Sequence, residues 1–213
     1  MAAVSTDDMI RQLADDGKLI AYFGYGSLVN PYTHRTEIIT YCRARVPGWR
    51  RAFRARPDLD PEKIAFLTSS PLTQHGGSFL DGLLVFDHVD NLPALDIREA
   101  GYDRHQLGAD EIETERDVPA GCPIYIYEGM ALARPDLRHA ILHSYLDAVL
   151  QGHHLIYGID GVDRFLSTTG GLDLPVLRDR ERPRYPRAIS LDPAERAMID
   201  AKTAHMAFID QLD

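Results

Sequence analysis

Residues 19–28 read LIAYFGYGSL. Leu19 to Tyr25 is a short apolar run rich in aromatic residues, which predicts a buried strand. Gly24, Tyr25, Gly26 and Ser27 then bring that strand to a tight turn. Glycines at such a turn let a ligand come close to the backbone N–H groups. The third glycine of a dinucleotide fingerprint is missing, and no Gly-Lys-Ser/Thr follows to make a phosphate loop. Ser27 also lacks the flanking glycines of a nucleophile elbow. From the residues alone, the segment is either a ligand-cradling turn or simply a turn.

The strands around it follow from pattern. RARVPGWRRAF, residues 43–53, predicts two strands joined at Pro47-Gly48. Ile64–Ser70 and Phe79–Asp87 predict two more. Asp90 is the expected cap of a short helix through Arg98, with Leu92, Leu95 and Ile97 facing inward. Gly101 breaks it, and Tyr102–Leu107, Ile112–Asp117 and Ile124–Tyr127 continue as strands. Ahead of all this, residues 5–16 predict a surface helix capped by Ser5 or Thr6 and ended by Gly17. After Gly129 helices are expected at Pro135–Gln151, Asp160–Thr169 and Pro193–Leu212, the last with Asp192 as cap and Pro193 at its first position. A strand-rich first part and a helical last part favour α+β over alternating strand and helix.

Composition sets the bounds. With 213 residues, 45% hydrophobic, the chain can bury a core without staples. Two cysteines, Cys42 and Cys122, read as thiols of a reducing compartment. Asp7 and Asp8 stand where a secretory signal would be basic, and no run reaches the ~20 apolar residues of a membrane span. A cytoplasmic protein is expected. The net charge of −9 argues against nucleic-acid and anionic-membrane partners. Two arginine clusters interrupt the acidity: Arg43, Arg45, Arg50, Arg51, Arg54 and Arg56, then Arg178, Arg180, Arg182, Arg184 and Arg187. They are either an anion site or solvated faces paired with the surplus acids.

LDIREAGY, Leu95 to Tyr102, puts Glu99 where a short helix ends beside a glycine. A carboxylate there is either a general acid/base pointing into a cleft, its pKa lifted by burial, or a surface group paired with Arg98 or Arg104. His139 and His143 share i, i+4 spacing, but no third ligand accompanies them, and no metal is expected. His153-His154 reads as part of a loop.

The order of these motifs is more specific than either alone. A strand ending in YFGYGSL, then short strands, then LDIREAGY resembles the gamma-glutamylcyclotransferase-like family, across its bacterial and glutathione-degrading branches. The resemblance spans Tyr22 to Tyr127. It continues through HSYLDAVLQG (143–152) and DRERPRYPRA (179–188), and leaves residues 1–18 and 191–213 outside. It implies a small mixed β-barrel with flanking helices. Taken with the helices expected from pattern, the chain divides into an N-terminal helix in 1–18, the barrel domain in 19–130, and a helical C-terminal extension in 131–213 packed on it.

It implies, too, an enzyme of glutathione or gamma-glutamyl metabolism, classed as a transferase or lyase. Such an enzyme cyclises a gamma-glutamyl amide to 5-oxoproline and releases the amine, without cofactor or metal. Glu99 is then the acid/base. Tyr25, Gly26, Ser27 and Leu28 form the substrate-binding turn. Tyr102 and Tyr145 match substrate-contacting tyrosines, although Tyr145 fits equally as a core residue of its helix. The spacing from Glu99 to Tyr102 is shorter than in members with an insertion there. The alternative on the same fold is a non-catalytic, small-ligand-binding or regulatory protein. The expected partner is a small gamma-glutamyl molecule, and the assembly a monomer or homodimer. Arg50, Arg54 and the Arg178–Arg187 loop are the candidates to hold a substrate carboxylate.

Overall fold

The computed structural model describes residues 5–55, 63–72, 77–129 and 139–212. Strand β1, Leu19–Gly24, is buried at every position. Its alternation explains why. Leu19, Ala21 and Phe23 face one apolar cluster, while Ile20 and Tyr22 face another. A strand covered on both faces needs a continuous apolar run, which is what LIAYFG supplies.

Around it the chain builds β2 (Thr40–Pro47), β3 (Trp49–Ala55), β4 (Ala65–Pro71), β5 (Phe79–His88), β6 (Tyr102–Leu107), β7 (Glu113–Thr114) and β8 (Ile124–Gly129). Short strands β9 (Ile141–Leu142), β10 (Thr169–Gly170), β11 (Val176–Leu177) and β12 (Phe208–Ile209) follow. The main sheet has six strands in the order β6-β8-β1-β5-β2-β7. Within it β1 pairs parallel to β8 and antiparallel to β5. A second sheet is β10-β3-β4, and a third, all parallel, is β12-β11-β9.

Among the described residues four helices accompany the sheets. Helix α1, Thr6–Asp15, is capped by Ser5, whose hydroxyl accepts the Asp8 N–H. Helix α2 is Leu92–Arg98, α3 is His143–Thr168, broken at Gly158 (φ 67°, ψ −163°), and α4 is Pro193–Thr203. Asp192 and Glu195 form a reciprocal capping box at the start of α4. Among the described residues no helix is long and apolar enough to cross a membrane.

Several expectations are corrected. The α+β class holds, but among the described residues the main sheet stays open and no closed barrel forms. The Ile112–Asp117 segment contributes only the two-residue β7, too short to carry the ladder onward. Meanwhile β3 and β4 turn away into their own sheet. Side-chain bonds, not a ladder, tie β4 to the β8 and β6 edge: Gly129 N–H to Thr68 Oγ1, Ser69 Oγ to the Tyr127 carbonyl, and Tyr102 Oη to the Leu67 carbonyl.

The helix expected over 135–151 begins only at His143; residues 135–138 lie outside the described residues, as does Arg56. Ile141 and Leu142 instead pair with Val176 and Leu177. The N-terminus of α3 is satisfied by Asp179, 35 residues further on, which accepts from the Ser144 N–H and hydroxyl. A remote cap leaves no local sequence signal. Nor is α3 amphipathic at first: Leu146 to His153 are all buried, so it is a central helix. His153 and His154 therefore belong to a helix, and His139 does not share one with His143.

The last helix stops at Thr203, and Phe208–Ile209 joins β11 as a strand. The C-terminal part is thus helical with a small parallel sheet of its own. In α2 the cap position is Asn91, Asp90 lies in the preceding 3-10 turn, and Ile97 points out, 78% exposed.

Candidate functional site

A cavity of about 380 Å³ opens in the seam where the main sheet fails to close. It is bounded by the end of β1, by β4, by β6 and β8, by α3 and by the 184–187 loop. All seven residues singled out in the sequence line it: Tyr25, Gly26, Ser27, Leu28, Glu99, Tyr102 and Tyr145. They come from three stretches of the chain that only the fold brings together.

The turn after β1 is held from below. Ser27–Val29 forms a 3-10 turn, and the first N–H groups of such a turn have no partner within it. Asn30, fully buried, donates from Nδ2 to the Ala148 carbonyl and to Gln151 Oε1, and accepts the Tyr32 N–H. This fixes the turn against α3. Tyr25 spends its hydroxyl on the Tyr127 carbonyl at 2.6 Å, and burial pushes its pKa up. What the turn offers a ligand is therefore main chain.

Gly26 has no room for a side chain. A Cβ there would lie 2.8 Å from Tyr145 Oη and 3.1 Å from Leu67 Cδ2. Tyr145 is wedged edge-on against Phe53 and Tyr185, with its hydroxyl facing the Ser27 main chain. It both packs in the core and reaches the cavity, so the two sequence readings describe opposite ends of one ring.

Glu99 ends α2, and its side chain is 17% exposed. Burial lifts its pKa above the usual carboxylate value, against the pull of the Arg98 and Arg187 guanidiniums. Arg98 Nε donates to Glu99 Oε1 at 3.1 Å. The remaining Arg98 nitrogens reach the Thr33 carbonyl, Thr33 Oγ1 and Ser27 Oγ. Arg98 thus orients the carboxylate and ties it to the turn, 71 residues away in sequence. Of the two pairings open to Glu99, with Arg98 or with Arg104, the first forms, and Arg104 meets Asp96 instead. Tyr102 donates its hydroxyl to the Leu67 carbonyl, so it holds β4 in place as well as lining the cavity.

Arg98 itself was not foreseen as a site residue, although its place beside Glu99 was the available signal. The apolar wall of Ile64, Phe66 and Leu142 was also missed, because nothing local marks which strand face borders a cavity. Of the arginines offered for a carboxylate, Arg184 and Arg187 line the cavity, and Arg50, Arg54 and Arg178 do not. Several of the other cluster arginines are taken up by ion pairs or by burial. Arg45 meets Asp81, Arg178 meets Asp210, and Arg180 meets Asp147 and Asp200. Arg51 is fully buried, stacked over Phe165 and donating to Thr169 Oγ1. A larger groove, about 780 Å³, lies between α1, β2 and α3. Its Arg43 and Arg116 are paired with Glu115 and Asp7, and none of the seven candidates borders it.

The turn is also supported by His34, whose Nε2 meets the Leu28 carbonyl at 3.0 Å and Nδ1 the Tyr22 hydroxyl at 3.1 Å. A carbonyl only accepts, so Nε2 carries the proton and Nδ1 accepts from Tyr22. Burial, helped by Arg98, lowers the His34 pKa to about 4. His143 and His153 are lowered by burial as well. Their unfolded values lie near 6.5, so the unfolded chain binds more protons below that pH, and stability falls as pH drops. For His34 alone the loss reaches at most roughly 3 kcal/mol by pH 4. Urea midpoints measured from pH 7 to 4.5 are expected to decline, and His34→Gln to flatten the decline. A midpoint that rises on acidification would contradict this.

No family model matches the chain, and no curated protein matches its sequence. Its fold does match solved structures. A structure described as a gamma-glutamyl cyclotransferase superposes with a TM-score of 0.50 at 14% identity, covering 86% of this chain and 99% of its own. An uncharacterised human protein gives 0.49 at 14% identity over the same shares. A glutathione-specific gamma-glutamyl cyclotransferase from yeast gives 0.43 at 11% identity, covering 89% and 97%. The chain has a gamma-glutamyl cyclotransferase-like α+β fold, as its motifs led one to expect.

Proposed function

We propose that the protein is a gamma-glutamylcyclotransferase with Glu99 as its general acid/base. The observation that carries this reading is the meeting, at one cavity, of a main-chain turn and a largely buried carboxylate with a raised pKa. The substrate's alpha-amine attacks its own gamma-amide carbonyl, a five-membered ring closes, and the amide C–N bond breaks. The nucleophile is inside the substrate, so holding the chain bent is the main task. An alpha-amine titrates near pH ~8 and must lose a proton to react. Glu99 takes that proton and passes it to the leaving nitrogen. Its raised pKa suits both steps better than an ordinary carboxylate would. Negative charge on the carbonyl oxygen is met by N–H groups of the Gly26–Leu28 turn.

On this reading the extension expected in 131–213 completes the site through its described residues Leu142, Tyr145 and the 184–187 loop. The reaction takes place in the cytoplasm, where Cys42 and Cys122 remain thiols. The test is a product assay. Purified protein is incubated with glutathione, several gamma-glutamyl amino acids and a gamma-glutamyl amine, and 5-oxoproline is followed by mass spectrometry. Formation of 5-oxoproline from any of them supports the reading and narrows the leaving group. Free glutamate would make the protein a hydrolase. Ligand binding without product would make it a binding protein on the same fold.

A further inference from the structure

Arg187 stands beside Glu99 with most of its hydrogen-bonding capacity unused. Among the described residues its guanidinium makes one hydrogen bond, from Nη2 to the Arg98 carbonyl at 3.4 Å, and no ion pair. An arginine has five N–H donors in a planar fork that matches a carboxylate. Its neighbours differ. Arg98 is committed to Glu99, Thr33 and Ser27, and Arg180 to Asp147 and Asp200. Two residues before Arg187, the Tyr185 hydroxyl is buried without a hydrogen-bond partner, and its ring lines the same cavity. Buried hydroxyls are nearly always paired, so one left open at a cavity is a donor awaiting an acceptor. An arginine and a hydroxyl from one loop, both with donors to spare, define a site for an anion with two oxygens.

We propose that Arg187, with the Tyr185 hydroxyl as second donor, binds the alpha-carboxylate of the gamma-glutamyl group and so selects substrates in which that carboxylate is free. This rests on the cyclotransferase reading. The alpha-amine and alpha-carboxylate share one carbon. If the amine is to reach Glu99, the carboxylate falls on the flank of Glu99, where Arg187 is. A carboxylate on the leaving group lies beyond the departing nitrogen, further from the shared carbon. Arg187 also pulls the Glu99 pKa down against burial. Substrate binding that engages Arg187 would therefore release Glu99 to become a stronger base once the amine is in place.

The experiment compares the unaltered protein with Arg187→Gln on three substrates. These are gamma-glutamyl-alanine, gamma-glutamyl-ethylamide, and gamma-glutamyl-alanine whose alpha-carboxylate is amidated. Losing one partner of a desolvated charge pair predicts a fall in kcat/KM of about 100-fold, mainly through KM. It should fall equally for the first two substrates. The amidated substrate should be poor with the unaltered protein and no worse with Arg187→Gln. The acid limb of the pH profile should also move up in the variant, because Glu99 loses a neighbouring cation. A loss confined to gamma-glutamyl-alanine would assign Arg187 to the leaving group and overturn the proposal, as would an unchanged variant.

Should the unaltered protein form no 5-oxoproline from any substrate, the cyclotransferase reading fails separately. Calorimetric titration with gamma-glutamyl-alanine then decides the proposal. Binding that is lost in Arg187→Gln upholds the carboxylate site. Equal binding in both proteins, or none in either, overturns it.

Discussion

Glu99→Gln is expected to fold as the unaltered chain does and to form 5-oxoproline about 10²–10⁴-fold more slowly. Glutamine keeps the shape and an oxygen that can accept from Arg98 Nε, so the bond at 3.1 Å has a substitute. The other Arg98 bonds, to Thr33 and Ser27, do not involve Glu99 at all. What the variant loses is the capacity to take and return a proton. Stability should not suffer. Burial raises the Glu99 pKa, which means that the fold disfavours the ionised carboxylate relative to the unfolded chain. The sign is that of a group costing stability above its unfolded pKa, so neutral glutamine should leave the thermal midpoint level or slightly higher near pH 7. The pH profile gives a second reading. The base form is needed to begin the reaction, so kcat/KM should fall on the acid side, with a midpoint above the ordinary glutamate value near ~4.3. Wild-type turnover in a folded Glu99→Gln protein would remove Glu99 from the chemistry. A variant that fails to fold would be replaced by Glu99→Asp, which keeps the acid but withdraws it from the cavity and should be slow rather than dead.

How far the sequence reaches is clearest in particular elements. LIAYFG could be read as a buried strand because apolar content on both faces is a local property. That α1 is capped at Ser5 or Thr6 and α4 at Asp192 was legible for the same reason: donor and acceptor lie within three residues. The start of α3 was not, because its cap is Asp179 and its first turn follows a strand whose partners are 35 residues away. Ile141 and Leu142 fit a helical period as well as a strand, and tertiary pairing decided between them. The open sheet has the same origin. Whether β7 continues a ladder or stops after two residues depends on where β3 and β4 go, and the Pro47-Gly48 turn does not say.

The site divides in the same way. Tyr25–Leu28 and Glu99 belong to motifs and could be named one by one. That they face a single cavity follows from β1 and α2 packing on the same side, and that Arg98 bridges them follows from Ser27 and Thr33 lying beside the end of α2. Side-chain direction is what local pattern lacks. It separates Arg187, which borders the cavity, from Arg180, which is spent on Asp147 and Asp200.

Gly26→Ala is expected to lower kcat/KM by about 100-fold while leaving a folded protein, and Tyr145→Phe is expected to restore part of the loss. The added methyl would sit 2.8 Å from Tyr145 Oη, closer than a side-chain carbon and an oxygen can settle. Tyr145 cannot simply swing aside, because Phe53 and Tyr185 hold its ring edge-on at centroid distances of 6.2 Å and 5.0 Å. The turn, the softer partner, moves instead, by more than half an ångström if the 2.8 Å contact is to become an ordinary one. Overpacking of this kind costs about 1–3 kcal/mol of stability, and displacing the groups that hold a reacting substrate by ~1 Å costs about 10² in rate. Removing the hydroxyl leaves Tyr145 Cζ at 4.0 Å from the new carbon, an ordinary contact, although Leu67 Cδ2 remains at 3.1 Å. The double variant should therefore be better than the product of the two single effects, a coupling that a double-mutant cycle on kcat/KM and on thermal midpoint would measure. The single Tyr145→Phe variant separates the two readings of that residue. A ring that only packs loses little when its hydroxyl goes, whereas a hydroxyl that touches substrate raises KM. Strict additivity in the cycle would mean that Gly26 is small for some reason other than Tyr145, and that the turn is free to adjust.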